Sequence, residues 1–110
     1  MKVLNRGFIS VSPKPVFISV LLKDSEVDRL TPNHPEPSIY LIEEDFWDDE
    51  TIFKKYYKRI VDGETKQYGV ENNVHPLDIN FENIRDYFNI SLGSMVFDLD
   101  HRPLEGLKDD

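Results

Sequence analysis

The stretch SIYLIEEDFWDDETIFKKYYKRI, residues 38–60, changes its hydrophobic pattern across an acidic corner. Before the corner, Ile39 to Ile42 are apolar at every position, which is typical of a central strand that is covered on both faces. After the corner, apolar side chains recur every three or four residues, as in an amphipathic helix. This apolar stripe consists of Ile52, Phe53, Tyr56, Tyr57 and Ile60. The stretch therefore predicts a strand, a charged turn and a helix.

Both ends of this helix carry the usual boundary signals. Asp48 or Asp49 can accept hydrogen bonds from the free N–H groups of the first turn. Gly63 can adopt the left-handed conformation that ends a helix. We expect an i,i+4 ion pair between Glu50 and Lys54 to stabilise the first turns further.

The residues before this stretch predict a further strand and helix. Phe8 to Ser12 alternate apolar and serine positions, which indicates a half-buried strand. Ser12 and Pro13 then offer a helix cap and a first helical position. We expect a helix over Val16 to Leu22, although its β-branched residues also suit a strand.

The remaining residues predict two connections, a helix and a last strand. A proline-rich loop over Thr31 to Pro37 precedes the strand at Ser38, and a polar segment over residues 64–76 follows the long helix. Residues 78–89 predict a helix whose core-facing side chains are Phe81, Ile84 and Phe88. Residues 93–99 predict a strand whose core-facing side chains are Met95, Phe97 and Leu99.

Together these elements predict an α+β fold in the order β-α-β-α-α-β. We expect a small mixed sheet of about three strands, with about three helices packed on it in two layers. A right-handed crossover would make the first two strands parallel. A chain of 110 residues can bury one core. We therefore expect one globular domain over residues 1–100 and a mobile tail over residues 101–110.

The composition of the chain argues against several classes of function. A formal net charge of -8 disfavours nucleic acid as a partner, because phosphate binding depends on Lys and Arg. The longest apolar run, Val16 to Leu22, is shorter than the roughly 18 residues of a membrane-spanning helix. The first residues do not resemble a secretory signal, since Pro13 and Pro15 interrupt their apolar part. We expect a cytoplasmic protein that binds neither nucleic acid nor membrane.

Metal and cofactor sites lack a signature in this sequence. The chain has no cysteine, which excludes disulfides and thiolate ligands. His34, His75 and His101 are far apart and do not have the spacing of zinc ligands. The acidic residues do not follow the Asp-x-Asp-x-Asp-Gly pattern of a calcium loop. No metal or cofactor is expected.

The segment Glu43 to Glu50 contains six acidic residues and no basic one. One interpretation is structural: its carboxylates stabilise the N-terminus of the following helix, and Trp47 fills the core at the corner between strand and helix. The other is a docking face for a basic protein, because interfaces use aromatic anchors surrounded by charge. That face would consist of Glu43, Glu44, Asp45, Phe46, Trp47, Asp48, Asp49 and Glu50.

The stretch VFDLD, Val96 to Asp100, resembles the first strand of haloacid dehalogenase-type phosphatases. In that family the strand ends in Asp-x-Asp-Gly-Thr, and the resemblance implies Asp98 as a nucleophile and Asp100 as an acid–base group. Here His101 replaces the glycine, and ten residues follow Asp100, where the family has further strands that complete a magnesium site. We therefore favour a closing strand and keep Asp98, Asp100 and His101 as catalytic candidates.

Three stretches, GFISVSPKPVF, SIYLIEEDFWDDETIFKKYYKRI and SMVFDL, resemble a group of small acidic bacterial proteins. The shared features are a Gly-Phe-Ile-x-Val-x-Pro-Lys start, a Tyr-Leu-Ile-Glu-Glu-Asp-Phe centre and a Val-Phe-Asp-Leu end. The resemblance extends to about Leu99 and favours a helix after Pro13. It implies no activity.

The first functional hypothesis is a non-enzymatic binding protein, an inhibitor or immunity-like partner of a basic protein. The alternatives are a small metal-dependent hydrolase that uses Asp98, Asp100 and His101, and a subunit that forms a homo-oligomer through an apolar strand edge.

Overall fold

The computed structural model describes residues 1–21, 36–67 and 78–107. The strands are β1 (Lys2–Leu4), β2 (Gly7–Pro13), β3 (Ser38–Ile42), β4 (Phe88–Gly93) and β5 (Val96–Asp98). The helices are α1 (Pro15–Leu21), α2 (Asp49–Gln67) and α3 (Ile84–Tyr87). The predicted α+β class is confirmed. Most of the predicted loops over residues 31–37 and 64–76, with His34 and His75, lies outside the described residues.

All strand pairs are antiparallel, in a three-stranded sheet of order β3-β2-β4 and a two-stranded sheet of β1 and β5. The predicted parallel pairing of the first two strands is therefore wrong, since the strand over Phe8 to Ser12 lies antiparallel to β3. The crossover rule fixes the handedness of a parallel connection but does not require one.

Strand β2 is the centre of the fold, and its alternating pattern is confirmed. Residues at odd positions from Gly7 to Pro13 are buried, whereas Phe8, Ser10 and Ser12 are half-buried on the other face. Strand β3 is an edge strand, contrary to the predicted central position. Its Ile39 and Leu41 side chains are exposed, on a face over which the described residues place no helix.

The helices pack on one face of the three-stranded sheet and form one core with it. The buried apolar residues are Ile9, Val11, Phe17, Ile18, Ile42, Ile52, Phe53, Ile60, Val61, Ile84 and Phe88. The rings of Phe17 and Phe88 lie 4.4 Å apart between centroids and join α1 to β4.

Helix α1 confirms the predicted helix after Pro13 but begins two residues later than its caps suggested. Ser12 and Pro13 belong to β2, and Pro15 takes the first helical position. The carbonyl of Lys14 accepts the first helical hydrogen bonds. The Lys14 ammonium donates to the carbonyl of Arg85 at 2.6 Å, which ties the start of α1 to α3.

Helix α2 confirms the predicted amphipathic helix, with Ile52, Phe53 and Ile60 buried. Gly63 does not end it, because the helix continues to Gln67. A Cβ atom on Gly63 would lie 2.8 Å from the Tyr40 hydroxyl. Glycine at this position therefore serves the close approach of strand β3 rather than a helix terminus.

The C-terminal part of the fold differs most from the prediction. The helix expected over residues 78–89 is only the single turn of α3, and Phe88 already belongs to β4. The alternation of Phe88, Ile90 and Leu92 is a strand signal that overlaps the helical spacing of Ile84 and Phe88. Ile84 and Phe88 are nevertheless buried, as predicted.

The last strand, β5, does not point Met95, Phe97 and Leu99 into the core. Their side chains are 62%, 46% and 83% exposed. Strand β5 pairs with β1 instead of with the three-stranded sheet, so no helix lies over this face within the described residues. Residues 101–107 form no helix or strand and are exposed.

The two-stranded sheet and the three-stranded sheet are separate. Leu4 is opposite Val96 and Phe8 is opposite Gly93, and the residues between these two pairs, three on one strand and two on the other, are not paired with each other.

None of the helices within the described residues has the length and apolar character of a membrane-spanning helix.

Candidate functional site

The acidic segment, Glu43–Glu50, connects the end of β3 to the first turn of α2. Asp48 caps the helix as predicted: its carboxylate accepts the Thr51 hydroxyl at 2.8 Å and the Glu50 backbone N–H at 3.3 Å. These bonds hold the pKa of Asp48 below its usual range. The Asp48 carboxylate therefore has a structural role as a helix cap.

Glu43 is a second structural carboxylate. Its Oε2 atom accepts the Lys55 ammonium at 2.5 Å, and its Oε1 atom accepts the Tyr56 hydroxyl. These two hydrogen bonds lower the pKa of Glu43 to about 2. They fasten the start of the segment to α2, twelve residues further along the chain.

The two aromatic residues of the segment differ in burial. Phe46 packs against the core, and its Cε1 atom would lie 3.0 Å from a Cβ atom on Gly7. Trp47 is fully exposed, at 102% of its reference area. The interpretation of Trp47 as a core-filling residue is therefore wrong, and Phe46 occupies the corner in its place.

A groove of about 340 Å³ lies beside Trp47. Its apolar lining comes from Phe46, Trp47 and Ile52, and its polar lining includes Asp45 and Lys55. Grooves that combine apolar surface with a few placed polar groups are typical binding sites.

Four carboxylates of the segment remain available to a partner. Glu44, Asp45, Asp49 and Glu50 are exposed and make no side-chain hydrogen bond or ion pair with any residue that the structure describes. The predicted pair between Glu50 and Lys54 is not formed. The Lys54 ammonium lies 5.7 Å from the centre of the Phe81 ring instead.

The C-terminal candidates do not converge on one cavity. The Arg102 guanidinium donates to the Oδ2 atom of Asp100 at 2.9 and 2.6 Å and to its Oδ1 atom at 3.2 Å, and these bonds lower the pKa of Asp100. The backbone N–H of Asp100 donates to Asp98. The His101 ring is almost fully exposed and lies 3.8 Å from the Asp100 carboxylate. Asp98 and Asp100 line a surface cavity of about 450 Å³ that does not include His101.

Metal ligands do not cluster in the described ranges: no group of three or more His, Asp and Glu side chains there is placed to hold an ion.

Glu64 is a buried acidic residue that the sequence analysis missed. It lies on the inner side of α2, only 1% exposed. The Tyr40 hydroxyl donates to its Oε2 atom at 2.6 Å, and the Gln67 amide donates to the same atom at 2.9 Å. Burial raises the pKa of Glu64 and that of Tyr40. The cluster fastens strand β3 to the last turns of α2.

Because burial raises the pKa of Glu64 in the folded state, the folded chain binds its proton more tightly than the unfolded chain does. This contribution to stability is fully present below the unfolded pKa near 4.5 and is lost as the pH rises through the folded pKa. We expect Glu64→Gln to lose this dependence. The difference in unfolding free energy between the two proteins should change by at most about 1.4 kcal/mol per pH unit.

Urea unfolding of both proteins at a series of acid to neutral pH values measures this difference. Glu82→Gln, at an exposed position in residues 78–83, is the matched control and should follow the native protein. Parallel pH profiles for the native protein and Glu64→Gln would contradict the assignment.

Comparisons with protein-family models, with curated proteins and with solved structures give no match. The resemblance to small acidic bacterial proteins stays a prediction, and the function has to be inferred from the residues of this chain.

Proposed function

We propose that this chain is a non-enzymatic binding module that docks a basic protein through its acidic segment. The observation that carries the proposal is the fully exposed Trp47, held beside an apolar groove and four free carboxylates. An exposed tryptophan contributes nothing to folding by burial, so its large apolar surface is available to a partner.

The contacts on either side of Trp47 support a fixed backbone at this position rather than a loose loop. Glu43 is fixed to Lys55, Phe46 is packed on the core, and Asp48 caps α2. These three attachments alternate with the free side chains of the segment. A pre-organised anchor pays less conformational entropy when it binds.

The charges support a basic partner. The segment carries six of the acidic residues in a chain of net charge -8. Two of the six are engaged within the fold, and Lys55 is neutralised by Glu43. The remaining field attracts cationic proteins and accelerates their association at low ionic strength. A basic surface with one apolar side chain for the groove has the complementary chemistry.

Charge reversal tests this proposal. We expect Asp45→Lys/Asp49→Lys to weaken binding of lysine- and arginine-rich peptides that carry one central leucine or aromatic residue. Each exposed charge contributes less than about 1 kcal/mol, so a loss of roughly fivefold to tenfold is expected at physiological salt. Asp48 is left unchanged because it caps the helix. The sole tryptophan, Trp47, reports binding through its fluorescence.

The matched control reverses two exposed acids elsewhere on the chain, Glu82→Lys/Asp86→Lys, and changes the net charge equally. It should retain most of the affinity. Equal losses in both double variants would show that binding depends on net charge alone, and no loss in the first would overturn the proposal. Affinity capture from host cells, with the same two variants in parallel, would then identify the natural partner.

A further inference from the structure

The ion pair between Lys55 and Glu43 lies within the candidate binding site. Both residues line the groove of about 340 Å³ beside Trp47. Glu43 also lines a second cavity of about 520 Å³, to which Glu44 and Asp45 contribute as well. The side chain of Glu43 is 35% exposed, so a ligand in either cavity can contact it.

Lys55 is a cation that the chain itself already places on the acidic segment. Its Nζ atom lies 2.5 Å from the Oε2 atom of Glu43, which makes a charge-assisted hydrogen bond. A basic partner would bring the same kind of group, an ammonium or a guanidinium, to the same segment. The partner's cation and the Lys55 ammonium therefore compete for one carboxylate oxygen.

This ion pair can be exchanged at a small cost. The side chains of Lys55 and Glu43 are 58% and 35% exposed. Water screens the attraction between exposed charges, and holding two long side chains in one geometry costs entropy. Lys55 can thus leave Glu43, and its ammonium is then solvated by water.

The acidic segment stays attached to the fold when Lys55 leaves. The Tyr56 hydroxyl donates to the other carboxylate oxygen of Glu43, Oε1. Phe46 packs against the core, and Asp48 caps α2. These three contacts do not involve Lys55, so they hold the backbone on both sides of Trp47 during the exchange.

We propose that Lys55 is an internal competitor that lowers the affinity of the acidic segment for basic partners. The inference rests on the proposed function. A lysine or arginine of the partner that binds Glu43 gains only the difference between two similar ion pairs, because it first displaces Lys55. The free carboxylates of Glu44 and Asp45 require no such exchange. Lys55 accordingly disfavours partners with few basic residues more than partners with several.

Removal of the competitor tests the proposal. Lys55→Met keeps the length of the side chain and removes its ammonium. We expect this variant to bind the lysine- and arginine-rich peptide with one central leucine about threefold to fivefold more tightly than the native protein, since one exposed ion pair no longer has to be broken. Lys55→Arg restores the cation and should bind no more tightly than the native protein. Fluorescence titration of Trp47 at physiological salt measures both dissociation constants.

The matched control is Lys54→Met, which changes the net charge equally, one residue earlier in α2. Lys54 is exposed, and its ammonium lies 5.7 Å from the centre of the Phe81 ring. It is not among the described residues that line the groove. This variant should gain clearly less affinity than Lys55→Met. Equal gains would show that net charge alone sets the affinity and would overturn the inference.

A double-mutant cycle with Glu43→Gln separates competition from simple repulsion. If Lys55 acts by occupying the Glu43 carboxylate, Lys55→Met should gain no more affinity in the Glu43→Gln background than Lys54→Met does in the native one. An equal gain from Lys55→Met in both backgrounds would contradict competition for this carboxylate. Circular dichroism checks that each variant retains the fold.

The remaining outcomes distinguish this inference from the proposed function. If Lys55→Met binds the peptide with unchanged affinity, the inference fails and the proposed function stands. If it binds more weakly, the ion pair positions the segment for binding, which also overturns the inference alone. If neither the native protein nor Lys55→Met binds the peptide, the proposed function fails and the inference fails with it.

Discussion

Replacing Trp47 with alanine is expected to cost about 2 kcal/mol or more of binding free energy towards the basic peptide, roughly a thirtyfold loss. Stability should change by less than about 0.5 kcal/mol, because the side chain is fully exposed. Tryptophan is among the residues that dominate interface energetics, since burying its large ring releases much apolar surface from water. Isothermal titration calorimetry measures the affinity without the fluorescence of the removed ring.

The control for this variant is Leu107→Ala, which shortens another fully exposed apolar side chain outside the acidic segment. It should bind like the native protein. Trp47→Phe keeps an aromatic ring and should recover part of the lost affinity. If Trp47→Ala binds as well as Leu107→Ala, the exposed ring is not the anchor and the proposed docking mode is wrong.

Local sequence patterns were sufficient to predict the elements that bury a single face. The alternation in β2 and the apolar stripe of α2 each fix one buried face, and both predictions are confirmed. Asp48 as the helix cap follows from chemistry within three residues of the chain. Such features depend only on residues that are close in sequence, and a local sequence pattern includes those residues.

Pairing between distant segments could not be predicted in this way. An apolar run such as Ile39 to Ile42 indicates burial on both faces, but here Ile39 and Leu41 are exposed whereas Ile42 is buried. The exposed side chains of Ile39 and Leu41 follow the same sequence pattern as core residues. A period of two tells which residues share a face, not which face is covered.

The sequence likewise predicted only part of the candidate site. The sequence singled out the acidic segment, but it assigned the core position to Trp47, whereas the adjacent Phe46 fills it. The contact between Glu43 and Lys55 joins residues twelve apart and leaves no periodic signal. Glu64 could have been found, because it continues the apolar stripe four residues after Ile60, provided that the helix is extended past Gly63.

Phe53→Ala is expected to destabilise the fold by about 3 to 5 kcal/mol. The side chain is fully buried on the inner face of α2. Its ring lies 6.0 Å from the Phe81 ring and 4.9 Å from the Arg85 guanidinium carbon, so it joins α2 to residues 81–85. Truncation leaves a cavity and also removes the partner of a cation–π contact. Domains have only about 5 to 15 kcal/mol of stability, so much of it would be lost.

Urea unfolding followed by circular dichroism measures the loss as a lower midpoint at an unchanged slope. Phe53→Leu keeps most of the volume and should cost less than the alanine variant. Trp47→Ala removes an aromatic ring of at least equal size from the surface and should leave the midpoint unchanged. We assign Phe53 to the stability of the fold and Trp47 to the binding of a partner. Equal shifts of the midpoint in Phe53→Ala and Trp47→Ala would contradict this assignment.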